Sequence, residues 1–237
     1  MPAAAMVLAA GLGQRMRPLT DRRPKPLIEV NGKSLIDHGL DALERCGVAK
    51  AVVNLHHFPE QMVAHLSRRN LPKIVFSDET AQLLDSGGGI LKALDEFGGA
   101  PFFVLNADTF WIEGFKPNLA RLSAQWDPAR MDLLLLVSGM ANAVGYGGKG
   151  DFTMDPLGRL QRRGERLLAP FAYAGAAIVD PGAFDGAPPG PFSLNLIFDR
   201  ALERQRLFGL RLEGLWLHVG TPEAVREAEA AIARSSA

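Results

Sequence analysis

The sequence predicts an α/β fold, a mostly parallel central sheet flanked by helices in the Rossmann-like manner, with a β-hairpin in its second half. Three observations carry that expectation. Apolar runs bounded by turn residues alternate with helix-period segments from the first residues to about residue 140. The runs are apolar throughout instead of alternating, as expected of strands covered on both faces. Finally, "DFTMDPLGRLQR" (151–162) sets two short strand-like stretches on either side of a Pro and Gly turn.

"AAMVLAA" (4–10) reads as the first strand. "SLIDHGLDALERCG" (34–47) reads as a helix: Leu35, Ile36, Leu40 and Leu43 share a face, Ser34 with Asp37 resembles a capping box, and Gly47 marks the stop. "KAVVNL" (50–55) is a strand, "PEQMVAHLSRR" (59–69) a helix, "KIVFSD" (73–78) a strand and "GILKALDEFG" (89–98) a helix. "PFFVLNAD" (101–108) is a strand and, after an intervening helix, so is "DLLLLVSG" (132–139). The glycine-rich stretch 142–166 holds the hairpin, an insertion placed to cover a substrate. "AYAGAAIVD" (172–180) returns to a strand, "SLNLIFDRALERQ" (193–205) to a helix and "LWLHVG" (215–220) to a strand. "TPEAVREAEAAIARS" (221–235) closes as a helix, with Thr221 as N-cap and Pro222 in its first position.

The chain of 237 residues suits one domain with a sizeable core, and 47% apolar with 22% charged residues is ordinary globular composition. Lys plus Arg and Asp plus Glu both total 26, so no global field attracts nucleic acid or an anionic membrane, and any anion site is local. The one cysteine, Cys46, excludes an internal disulfide and a cysteine-based zinc cluster, and reads first as a small buried hydrophobe near a helix end. The N-terminal apolar stretch imitates a signal peptide, yet no Lys or Arg precedes it. A buried strand in a cytoplasmic protein is expected instead.

"AAGLGQRMRPLT" (9–20) follows the first strand, and three phosphate-binding readings compete for it. A dinucleotide fingerprint fails because Met16 stands where the third glycine belongs. "NGKSL" offers the end of a P-loop, but the glycine required five residues before Gly32 falls on Leu27. The third reading is a triphosphate loop in which Gly11 and Gly13 bring backbone amides to phosphate oxygens. Arg15, Arg17, Arg22, Arg23 and Lys25 face a single acid, Asp21, between positions 15 and 25. Taken alone that run reads as a solvated basic loop. Lys25 between Pro24 and Pro26 weighs against it, because two prolines stiffen the backbone that presents the ammonium group.

"LAAGLGQRMRPLT" followed by "RPKPL" resembles the signature of the sugar-phosphate nucleotidyltransferases, and "DSGGGILKAL", "LNADTFW", "GKGDF", "YAGAAI" and "WLHVGTPE" match further motifs in order, from Leu8 to Glu223. Within that family the chain looks most like the short bacterial uridylyltransferases that act on N-acetylmuramate 1-phosphate in cell-wall sugar recycling, then like mannose-1-phosphate guanylyltransferases. The resemblance implies a single domain over 1–237, with a nucleotide-binding half to about residue 115 and a sugar-phosphate-binding half from about 116. It implies that a sugar 1-phosphate oxygen attacks the α-phosphorus of a nucleoside triphosphate and releases pyrophosphate. A phosphate monoester has its second pKa near ~6, so the nucleophile is already an anion and no general base is needed.

The resemblance also assigns residues. Ala10, Gly11, Gly13 and Gln14 wrap the triphosphate, Arg15 holds the β and γ phosphates, and Lys25 lies between the α-phosphate and the attacking phosphate. Asp85, Gly87 and Gly88 meet the base; without the family, that glycine run reads equally as the start of a helix. Asn106 contacts nucleotide or sugar, and Gly150 and Gly175 line the sugar pocket. Asp108, at the end of a parallel strand, suits Mg²⁺, with Mn²⁺ as the alternative, although an Asp capping the next turn fits the spacing as well. The family's second metal-binding aspartate, in W-x-D-V-G-T, is His218 here. Four accounts stand, the first and fourth together being favoured: Asp108, phosphates and water hold the metal; Asp151 or another carboxylate moves in; the metal is Mn²⁺ or another ion that tolerates nitrogen; or His218 bonds the sugar phosphate, with any metal role lost. His38, His56, His57 and His65 read as structural or exposed. Two rivals remain, a non-catalytic nucleotide-sugar sensor and a nicotinamide-dependent oxidoreductase, the latter resting on the Gly11 and Gly13 spacing alone.

Overall fold

The computed structural model describes residues 1–235. In chain order the elements are β1 (Ala4–Leu8), β2 (Glu29–Val30), β3 (Lys33–Ser34), α1 (Leu35–Arg45), β4 (Lys50–Leu55), α2 (Pro59–Leu66), β5 (Lys73–Asp78), α3 (Asp85–Lys92), β6 (Phe102–Asn106) and β7 (Thr109–Glu113). There follow α4 (Asn118–Gln125), β8 (Leu133–Gly139), β9 (Ala143–Val144), β10 (Phe152–Met154), β11 (Leu160–Arg162), β12 (Phe171–Val179), α5 (Asn195–Glu203), β13 (Leu207–Arg211), β14 (Gly214–His218) and α6 (Pro222–Ser235).

The main sheet runs β11-β10-β12-β6-β1-β4-β5, and β8 joins it through β12 with β13 beyond. All of its strands except β11 and β12 point the same way. The α/β expectation is met, with the antiparallel character concentrated at β12, where the second half of the chain joins the first. Both sheet faces are buried. Ile36 and Leu40 of α1, Met62 and Leu66 of α2, and Leu119 and Leu122 of α4 cover one face. Ile90 of α3 with Ile197 and Phe198 of α5 covers the other. Each fully buried Leu, Ile or Phe contributes about 1.5–3 kcal/mol relative to exposure, so these helices dock through a few large side chains. The first helix starts as expected: the Ser34 hydroxyl accepts the Asp37 amide at 3.3 Å. Cys46 caps its C-terminal end, 8% exposed, and burial pushes its thiol pKa up, away from reactivity.

Three features depart from the sequence reading. Thr109–Glu113 and Leu207–Arg211, to which the sequence reading assigns no element, are strands β7 and β13. The first pairs with β14, and β14 with β9, in a separate three-stranded sheet, so "LWLHVG" is a strand outside the main sheet. This small sheet and α6 close a third core around Met16, Phe110, Leu217 and Ala228. Helix α3 begins at Asp85 and takes in all three glycines, and the chain tightens to a 3₁₀ turn at Leu94–Phe97. The hairpin is present as β10 and β11, paired from Phe152↔Arg162 to Met154↔Leu160, and it extends the sheet edge beyond β12.

Candidate active site

Strand order reverses between β1 and β6: β4 and β5 follow on one side of β1, and β6 lies on the other, with Leu8 level with Asn106. Open parallel sheets bind ligands at such a reversal, beyond the C-terminal ends of the strands. Here a cavity of about 410 Å³ is lined by Ala10 and Gly11 after β1, by Asn106 and Asp108 after β6, and by Lys25 and Asp85. A second hollow shares Gly11, Lys25 and Asp108 and extends over Gly13, Gln14 and Arg15 to Gly220.

The loop after β1 is shaped by its glycines. Gly13 sits at φ 63°, and a side chain on it would press on Lys25 Cβ at 3.0 Å. Its carbonyl accepts the Thr20 hydroxyl at 2.9 Å and the Met16 amide at 2.9 Å, which sets the short turn carrying Arg15. A Cβ on Gly11 would stand in open space, since nothing lies within 4 Å of it. The structure separates the basic residues of this region. Arg17 pairs with Asp21 at 3.4 Å and Arg23 with Glu29 at 3.7 Å, both well exposed. Among the described residues no carboxylate comes within salt-bridge range of Arg15, which leaves its guanidinium available to a ligand anion.

Lys25 is the buried cation, 9% exposed, and its Nζ donates to Asp108 Oδ2 at 2.8 Å. Burial alone would raise the Asp108 carboxyl, but Lys25, then His218 in its protonated form, and Arg15 outweigh it and hold the pKa below the usual carboxylate value. His218 is pushed the other way: burial, then the charges of Lys25 and Arg15, lower its pKa against the pull of Asp108. At neutral pH its ring is uncharged. Pairing of β14 with β7 sets His218 opposite Thr109, and the Val219 amide bonds the Asp108 carbonyl at 3.1 Å. A Cβ on Gly220 would lie 2.9 Å from His218 Nε2 and 3.7 Å from Arg15, so these residues meet at one point. The His218 ring is set edge-on against Tyr146 at 5.9 Å and tilted against Trp216 at 5.6 Å.

On the other side of the cavity the structure adds residues that sequence reasoning missed. Asn54, 3% exposed, accepts the Ala9 amide at 2.7 Å and donates to Glu79 at 2.8 Å, and Glu79 in turn accepts the Leu84 amide at 3.0 Å. The buried amide–carboxylate pair thus fixes the start of the loop after β1 to the segment that carries Asp85. The sequence signal was a lone polar residue at the end of an apolar strand, "KAVVNL", followed by an acid just after the next strand. Asp85 adopts φ 59°, a strained conformation for a non-glycine residue, of the kind that clusters at ligand sites. Gly87 and Gly88 are brought to the site but face inward. Both amides donate to the Phe192 carbonyl, at 2.8 and 3.1 Å, and the glycines are needed because Phe192 and Gly190 pack directly on them. Asp85 and Ser86, instead of Gly87 and Gly88, border the cavity.

Toward the second half, Gly175 lies at φ 78° within the irregular pairing of β12, with Asn106 and Thr109 in the space a side chain would take. Thr109 accepts the Trp216 indole N–H within the small sheet, and its hydroxyl donates to the Ala174 carbonyl of β12 at 3.4 Å, tying the two sheets at this point. Gly150, at φ 76°, packs on the Ala169 carbonyl, and Asp151 next to it accepts the Tyr173 amide at 2.9 Å. That bond commits one Asp151 oxygen to the sheet edge. His38 stacks on Phe110, His56 bonds the Glu79 carbonyl at 2.7 Å and His65 bonds Asp37 at 2.7 Å, structural roles as expected.

The donors present fit a divalent cation of the kind held mainly by its substrate. Lys25 engages only Oδ2 of Asp108, and His218 presents an uncharged ring beside it. Among the described residues no group of three or more His, Cys, Asp or Glu converges, and the free oxygen of Asp108 is the group beside Lys25 that could take a divalent cation. No helix of the described residues is long and apolar enough to cross a membrane.

Residues 5–146 match the family model of the MobA-like NTP transferase domain. The chain is 45% identical over 240 residues to an N-acetylmuramate alpha-1-phosphate uridylyltransferase of Caulobacter vibrioides, covering 99% of this chain and 98% of the relative. It is 34% identical to the enzyme of the same name from Neisseria meningitidis, over 95% of this chain and 96% of that one. A probable mannose-1-phosphate guanylyltransferase of Arabidopsis thaliana is 29% identical, over 92% of this chain and 62% of its own length. Among solved structures, HddC of Yersinia pseudotuberculosis complexed with GMP-PN superposes with a TM-score of 0.76 at 21% identity, over 97% of this chain and 99% of that one. An apo UDP-glucose pyrophosphorylase gives 0.77 at 16% identity, over the whole of both chains.

Proposed function

The chain belongs to the sugar-phosphate nucleotidyltransferases built on a MobA-like NTP transferase domain, and from that premise we propose that it joins UTP to N-acetylmuramate 1-phosphate, releasing pyrophosphate. The observation that carries this reading is 45% identity over nearly the full length of both chains to a uridylyltransferase of that name. Transfer of the guanylyl group of GTP to mannose 1-phosphate, with pyrophosphate leaving, is the second reading, favoured by the guanylyltransferase relatives at 28–30% identity.

The oxygen of the sugar 1-phosphate forms a bond to the α-phosphorus while the bond from that phosphorus to the pyrophosphate oxygen breaks. Both partners are anions, so charge neutralisation and in-line alignment supply the rate. Backbone amides of Gly11 to Gln14 wrap the triphosphate, and Arg15, free of carboxylate partners, holds the departing β and γ phosphates. Lys25 Nζ, held 2.8 Å from Asp108, sits where the two reacting phosphates repel each other. A divalent cation on the free oxygen of Asp108 would draw charge from the triphosphate oxygens. His218, uncharged at neutral pH, donates a hydrogen bond to the sugar phosphate. Asp85 and Ser86 meet the base, and Asn106, Gly150 and Gly175 line the sugar side. The division follows the chain, with the nucleotide half running to about residue 115 and the sugar half beyond it.

The cytoplasm is the proposed location, since a chain with a single cysteine fits a reducing environment. The test is pyrophosphate release over a panel of UTP, GTP and other triphosphates against N-acetylmuramate and mannose 1-phosphates, with Mg²⁺ and Mn²⁺ in parallel. Turnover highest with UTP and N-acetylmuramate 1-phosphate supports the reading. Turnover confined to another pair replaces it, and silence across the panel with tight binding of a nucleotide sugar would favour a sensor.

A further inference from the structure

A third hollow, of about 450 Å³, lies between the hairpin and the α5–β13 connection, and none of its lining residues borders the catalytic cavities. Leu160, Leu202 and Leu207 form an apolar floor, and Arg159, Gln161 and Gln205 add polar groups around it. Each of the other charges there is already engaged. Asp155 Oδ1 accepts the amides of Leu157 and Arg159 at 2.8 and 2.9 Å, which closes the hairpin turn. Arg162 pairs with Asp199 at 2.8 Å and lies over the Phe152 ring.

Arg159 is different. It is partly buried, its Nε is shut off from solvent and bonds to nothing, and among the described residues no carboxylate is in salt-bridge range of its guanidinium. A buried N–H without a partner carries an uncompensated desolvation cost, and a guanidinium is shaped to hold a planar or tetrahedral oxyanion through two parallel N–H bonds. Hollows of a few hundred Å³ with an apolar floor and a few polar groups are the usual form of small-molecule sites. We propose that this hollow is a second binding site, for a small molecule whose phosphate or carboxylate group pairs with Arg159 and whose apolar part rests on Leu160, Leu202 and Leu207. The proposal does not depend on which nucleotide or sugar the catalytic site takes.

The test is a titration of the full chain, ¹⁵N-labelled, with inorganic phosphate and separately with acetate, followed at the Arg159 Nε–H and the side-chain amides of Gln161 and Gln205. Saturable shifts at these groups are expected with at least one of the two anions, and which one responds identifies the headgroup. Arg159→Gln should weaken that binding at least tenfold, whereas Arg15→Gln, which alters anion binding at the catalytic cavity, should leave it unchanged. Leu202→Trp, which fills the floor while keeping Arg159, provides the check should Arg159→Gln fail to fold. It should also block a bulkier organic phosphate such as phenyl phosphate. Shifts absent with both anions, or equal in wild type and Arg159→Gln, would overturn the proposal.

Discussion

Lys25 and Asp108 are separated by most of the first half of the chain and meet at 2.8 Å in the site, so the first predictions belong to them. Replacing Lys25 with Ala leaves the repulsion between the reacting phosphates unopposed. A loss of about 10² to 10³ in kcat is expected, as for other preorganised charge-stabilising groups, with a raised KM for the sugar phosphate in steady-state kinetics. Asp108→Asn should abolish metal-dependent turnover, and full activity in that variant would remove the proposed cation site. The same pair has a pH signature. The Asp108 pKa in the fold lies below its unfolded value near ~3.9, so stability from ionisation is present above that value and is lost as pH falls through the folded one. Acid unfolding of Asp108→Asn should lack this component and follow a shallower limb below about pH 4. At this scale Lys25 was legible from its flanking prolines and Asp108 from its strand end. Asn54 and Glu79 were not, because burial gives a polar residue its task and one sequence does not show which polar residues are buried.

Helix α3 shows how packing overrides propensity. Three successive glycines argue against a helix, at about 1 kcal/mol each relative to Ala, yet Asp85–Lys92 is helical because Phe192, Gly190, Glu79 and Asn54 press where side chains would start. Gly88→Ala should therefore destabilise the protein by about 1–3 kcal/mol in denaturant unfolding, although propensity alone predicts a gain. Strand β7 was hidden because only the two-residue turn Ala107–Asp108 separates it from β6, and β13 because Gly209 interrupts it where Leu160 packs on its backbone. His38 of α1, stacked on Phe110 of β7 at 3.9 Å, joins the first helix to the small sheet. Burial, followed by the nearby Lys33, lowers its pKa against the Val30 carbonyl, Asp41 and Asp37. Between the folded value and the unfolded value near ~6.5 the unfolded chain binds more protons, so stability rises with pH across that window, is lost as pH falls through it, and levels off below the folded value. His38→Phe keeps the stack and removes the titration, so its melting temperature should differ less between pH 7 and about pH 5 than that of the wild type.

Across the whole molecule, β12 inverts against β6 and lets one continuous sheet bring both halves of the chain to the strand ends beyond β1 and β6. The parallel half was legible as alternating runs and helices. The small sheet that carries His218 was not, since its strands come from residues 109, 143 and 214 onward and only long-range pairing joins them. That pairing places His218 among Asp108, Lys25 and Arg15, where the family signature has an aspartate. The central claim is that these four residues serve transfer of a nucleotidyl group. The most direct measurement is ³¹P NMR of one mixture of the protein, a divalent cation, UTP and N-acetylmuramate 1-phosphate. The account predicts that the sugar-phosphate signal is replaced by a diphosphate-linked nucleotide sugar with one pyrophosphate for each, and that Lys25→Ala slows this about 10² to 10³-fold. Unchanged substrate signals, or the same rate in Lys25→Ala as in the wild type, would contradict it.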